Sequence, residues 1–126
     1  MTPAQILQAF GQRLETLPQA PTIVWPDQDA NPARPYLTVQ HVPAIRDFPD
    51  LAGRVLWQTG YFSVVIVMSA GDFAGQANTI AGAIMEHFPK TLRFGGLLIT
   101  GSRLAAPGYT DGTDYRLPVR IDYTVT

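Results

Sequence analysis

From Tyr61 to Met68 the chain reads Tyr-Phe-Ser-Val-Val-Ile-Val-Met, aromatic and β-branched side chains around one serine. Such residues pack well on a pleated surface and lose rotamer freedom in a helix, so the run predicts a strand. Just upstream, Val55 and Trp57 alternate with Leu56 and Gln58, which extends the reading to one long central strand over residues 54–68. Gly60 is either a bulge in that strand or a hairpin corner. Thr59-Gly60 is not one of the usual two-residue hairpin pairs, which favours the single strand. An apolar run this continuous calls for cover on both faces, by a helix on one side or by a neighbouring subunit.

The other elements arrange themselves around this strand. Thr2-Pro3-Ala4-Gln5 is a helix start, with Thr2 as cap, Pro3 where its missing N–H costs nothing and Gln5 completing a capping box. Ile6, Phe10, Leu14 and Leu17 then form one apolar stripe, which Pro18 ends. Ile23 to Trp25 is a short extended piece, residues 27–35 a polar, proline-containing loop, and Tyr36 to Val42 a strand closed by Pro43. Residues 44–53 read as a loop. Asp72 caps a second helix striped by Phe73, Ala77, Ile80, Ile84 and Phe88. A short strand over 91–94, a Gly95-Gly96 turn and a strand over 97–100 follow. Residues 105–114 are a loop or loose hairpin. Leu117, Val119, Ile121, Tyr123 and Val125 alternate with polar residues in a last strand, which by Pro118 either lies at a sheet edge or starts near that residue. The expected fold is α+β: a mostly antiparallel sheet of about four strands with two helices packed on one face.

A chain of 126 residues has room for one domain. The chain has no cysteine, which excludes disulfides, thiolate metal sites and cysteine nucleophiles. No apolar run approaches membrane-spanning length, and the first residues do not read as a signal peptide. Nine basic against ten acidic residues give no field to gather nucleic acid or lipid, so neither a membrane nor direct sequence-specific nucleic-acid binding is expected. Charged residues are only 15% of the chain and Lys90 is its one lysine, which fits either chance or source composition or a surface that largely meets other protein.

No catalytic constellation emerges. His41 and His87 are far apart in sequence and show no metal-ligand spacing. The aspartates fall mostly in Pro/Gly-rich loops, where they support turns. None of Ser63, Ser69 and Ser102 stands in a nucleophile elbow. The turn from Gly71 to Gly75 opens a helix and is the nearest approach to an anion site, although Asp72 competes for the same amides. The reading is therefore a non-enzyme with no cofactor, metal or catalytic residue. Arg34, Arg46, Arg103, Tyr109, Asp111, Tyr115 and Arg116 are the candidate interface residues, since arginine and tyrosine anchor protein contacts.

Read end to end, the chain resembles the tail-terminator (minor tail protein) family of long-tailed bacteriophages and prophages. The resemblance rests on Ile6-Leu7-x-x-Phe10 with Leu14-x-x-Leu17, Ile23-x-Trp25-Pro26 and Pro35-Tyr36-Leu37-x-Val39. It continues through Gly60-Tyr61-Phe62-x-Val64-x-Ile66, Gly71-x-x-x-Gly75, Ile84-x-x-x-Phe88 and Leu117-Pro118-Val119-x-Ile121-x-Tyr123. It implies one tail-terminator-like domain over 1–126, in the virion tail and, during assembly, the host cytoplasm. It further implies a ring, usually of six subunits, that caps the tail tube, stops its polymerisation and presents the head-joining surface. The implied partners are further copies of the chain, the tail tube protein and head-proximal connector proteins, with ring contacts expected over residues 27–35, 44–53 and 103–116. Two alternatives stand beside it: a head–tail joining or completion protein, and a small hydrolase or anion-binding domain using the Gly71 to Gly75 turn.

Overall fold

A computed structural model describes residues 2–26, 28, 32–47, 57–71 and 74–125. The elements run α1 (Pro3–Leu14), β1 (Thr22–Val24), β2 (Tyr36–Asp47), β3 (Trp57–Ser69), α2 (Ala74–His87), β4 (Arg93–Phe94), β5 (Leu97–Leu104), β6 (Tyr109–Asp111) and β7 (Asp114–Val125). The strands form one sheet in the order β1-β2-β3-β7-β5-β4, with β6 also paired to β7. Among the described residues only β1 and β2 run parallel.

The expectation of about four strands is overturned. Among the described residues the sheet has seven, curled into a half-barrel. The number rises because the short pieces near residues 22–24 and 93–94 pair into the sheet as β1 and β4, and residues 109–111 add β6. Strands also run on past prolines and glycines that read as stops. Pro43 does not close β2, because the strand absorbs it with a register shift between Pro43 and Arg46 and continues to Asp47. The first four residues of the expected 44–53 loop are therefore strand. β5 likewise runs on through Arg103 and Leu104, with its own register shift between Ile99 and Gly101. Residues 109–111 form β6, which turns at Gly112 (φ 63°) into β7.

β7 is not an edge strand but lies between β3 and β5. Pro118 is tolerated there because it falls between the last β5 pair, Leu104 with Val119, and the first β6 pair, Tyr109 with Arg116. Its carbonyl still accepts from the Ala105 N–H at 3.0 Å, and no strand pair at that point requires an N–H in return.

The capping box of α1 forms as its sequence predicts: the Gln5 N–H donates to Thr2 Oγ1 and the Thr2 N–H to Gln5 Oε1. The helix ends at Leu14, ahead of Pro18 as expected, and Leu17 still reaches the core from the following turn. β3 is continuous through Gly60, where a Cβ would lie 2.6 Å from the Val42 carbonyl oxygen and 2.7 Å from Tyr123 Oη. Residues 54–56 and the Asp72 cap lie outside the described residues.

One main core fills the space between the helices and a single sheet face. Phe10 of α1 stacks on Phe62 of β3 at 3.9 Å and on Phe88 after α2 at 4.9 Å. Val64, Ile66 and Met68 of β3, Leu117 to Tyr123 of β7 at alternate positions, and Ala77, Ala81 and Ile84 of α2 join them. Each such side chain, fully buried, contributes on the order of 1.5–3 kcal/mol. The β4–β5 hairpin turns on Gly95 and Gly96, both at positive φ, and packs against Ala9 of α1.

The helix-free face of the sheet

Period-two alternation sends the even positions of β7 from Asp114 to Asp122 away from the helices. Across the sheet they meet Tyr61, Ser63, Val65 and Val67 of β3. No helix covers this side among the described residues. Val67 is still fully buried, in a small second cluster with Val24 and Tyr36 that Val65 packs against. The continuous apolar run of β3 is thus half covered by helices and half by the side chains of this face.

Arg34, Arg103, Tyr109, Asp111 and Arg116, five of the seven candidate interface residues, gather here with Arg120, Asp114 and Asp122, which the sequence reading had not singled out. Arg34 Nε donates to Asp114 Oδ1, and the Arg34 guanidinium lies 5.8 Å from the Tyr36 ring centre. Arg116 completes this group, 3.5 Å from Asp114 and 3.4 Å from Asp111. The guanidinium bond holds the Asp114 carboxyl below its usual range, against the opposing effect of burial, and raises Arg34.

A second group lies further along β7. Asp122 accepts from Arg103 at 3.0 Å and from Arg120 at 2.8 Å, and the Arg120 guanidinium lies over the Tyr61 ring at 3.8 Å. A cleft beside it is lined by Thr59, Tyr61, Thr100, Arg120, Asp122 and Thr124. No sequence spacing announces these groups, because Arg34, Arg103 and Tyr61 arrive from other strands or loops.

Two candidates lie elsewhere. Tyr115 faces the helix side and packs against the main core. Arg46 pairs with Gln58 through the backbone, and its side chain is outside the described residues. Tyr109 is the most exposed large hydrophobic residue among the described ones, at 48%.

The histidines serve the core. His41 Nε2 hydrogen-bonds Tyr123 Oη at 2.6 Å beside Phe62, and burial lowers the His41 pKa and raises that of Tyr123. His87 Nε2 donates to the Arg13 carbonyl at 2.9 Å. Neither ring meets a carboxylate, and no group of three metal-ligating side chains gathers among the described residues. The Gly71 to Gly75 turn of the hydrolase alternative lies partly outside them. On the helix side, a shallow apolar groove runs between α1 and Trp25, lined by Leu7, Gly11, Glu15 and Pro26 among others.

A family model described as phage tail terminator protein matches residues 5–123. A solved structure 27% identical in sequence is similar over 100% of this chain and 96% of that chain, with a TM-score of 0.78. No curated protein matches.

Proposed function

The chain belongs to the phage tail terminator family, and from that membership we propose that its copies close into a ring on the tail tube, end tube polymerisation and present the head-joining surface. Membership makes it a structural virion protein of the phage tail, with other tail components as partners and no catalytic role. The observation that carries the finer reading is the helix-free sheet face, where arginines, aspartates and tyrosines gather around half-buried Val65 and Pro118. An apolar centre within a rim of arginine and tyrosine is the anatomy of a protein contact. Arg34, Arg103, Tyr109, Asp111 and Arg116 are assembly residues in this reading, whereas Tyr115 packs against the main core and Arg46 enters it only through its backbone position.

A ring rather than an open filament follows if different patches of successive copies meet at an angle that closes. Electron microscopy of tail tubes incubated with the purified protein tests this. The expected image is a ring of density, six-fold in projection, on one tube end; protein scattered along the tube wall or absent from its ends would overturn the reading.

A further inference from the structure

We infer that Arg103 and Arg120 of one copy receive Glu15 and Glu86 from the next copy around the ring. The inference rests on the ring reading above and names its contact.

The two charged groups on the sheet face differ in one respect. At the Asp114 end, two guanidiniums, Arg34 and Arg116, meet two carboxylates, Asp114 and Asp111. At the Asp122 end, two guanidiniums share a single carboxylate. Among the described residues no further acid reaches Arg103 or Arg120, whose side chains are 60% and 36% exposed. Stacking on Tyr61 fixes the plane of the Arg120 guanidinium, and Asp122 takes only its Nε. Its terminal nitrogens point to a carboxylate from outside, which planar guanidinium forks accept in bidentate fashion.

Among the carboxylates whose side chains are described, Glu15 and Glu86 are those without an ion pair, and both are exposed. Each stands where its own helix disfavours it. Glu15 caps the C-terminus of α1 and Glu86 lies in the last turn of α2, at ends that already carry partial negative charge. Arg13 bonds the His87 carbonyl at 3.1 Å, so the helix ends that carry the two glutamates lie on the same side of the sheet. A carboxylate at a helix C-terminus is locally unfavourable, and a cation from a neighbouring copy relieves it. The apolar groove along Leu7 and Trp25 adjoins Glu15 and offers apolar surface next to the charges.

The guanidiniums lie on the helix-free face and the glutamates on the helix side. One copy cannot join them, and a contact between them is heterologous, as a ring requires.

Sedimentation velocity, in solution and with tail tubes prepared without this protein, tests the contact using the full chain. Arg103→Gln/Arg120→Gln and Glu15→Gln/Glu86→Gln should each weaken self-association at least tenfold, while Arg93→Gln on β4 leaves it unchanged. Mixing the two double variants should yield dimers that grow no further, because each pair retains one good contact. Rings that persist in either double variant, or a mixture with no dimers, overturn the contact while leaving the ring reading intact. Wild-type protein that forms no ring in solution or on tubes overturns both.

Discussion

Arg13 and His87 bond each other's backbone reciprocally: the Arg13 guanidinium donates to the His87 carbonyl at 3.1 and 3.3 Å, and His87 Nε2 donates to the Arg13 carbonyl at 2.9 Å. The pair satisfies carbonyls that helix ends leave open and locks α1 to α2. Arg13→Ala should lower unfolding free energy by about 1–3 kcal/mol, the range for bonds from a charged donor to partly buried acceptors. Urea denaturation measures it; an unchanged midpoint would show that the clamp is dispensable.

Two glycines should respond in opposite directions. At Gly60 a Cβ would meet the Val42 carbonyl and Tyr123 Oη, and the backbone oxygen cannot yield cheaply. Gly60→Ala should therefore cost about 1–3 kcal/mol. At Gly82 a Cβ enters open space inside α2, so Gly82→Ala should gain about 0.5–1 kcal/mol of stability. Thermal melts of the two variants, side by side, check both signs.

Burial lowers the His41 pKa from its ordinary value near 6.5. The folded state then binds fewer protons than the unfolded chain, so the stability contribution of the neutral ring is complete above pH 6.5. It declines as pH falls from 6.5 toward the lowered folded value and levels off below that. Stability curves across this window should flatten in His41→Gln, which keeps a partner for Tyr123 without the titration. Equal slopes in the two proteins would contradict this.

Asp114 shows the complementary case. Its folded pKa lies below 3.8, because Arg34 stabilises the carboxylate. The contribution is complete above pH 3.8 and is lost as pH falls through the folded value. Asp114→Asn should be less stable than wild type at neutral pH, and the difference should shrink as acid is added. A constant difference down to the acid limit would count against the ion pair as its source.

What the sequence made legible was local. The α1 capping box, the β3 run and the α2 stripe each announce themselves through neighbours within four residues, and each stands in the structure. Strand length and position were misread where a local stop signal was overridden by pairing. Pro43 reads as an end until its strand is seen to shift register against β3, and Pro118 as an edge until the gap between β5 and β6 is known. The charged groups were illegible for the same reason. Arg34 and Asp114 are 80 residues apart, and only strand register brings them together. Residue type still named five members of that face, since charged side chains seldom serve a core, but it misplaced Tyr115, whose ring packs against the core.

The central claim is that this protein ends tail-tube growth by binding. The length distribution of tubes in phage particles lacking it, measured by electron microscopy, tests that claim most directly. Tubes should extend well past the wild-type length, with the normal length restored when the protein is supplied in trans. Tubes of normal length in its absence would contradict it.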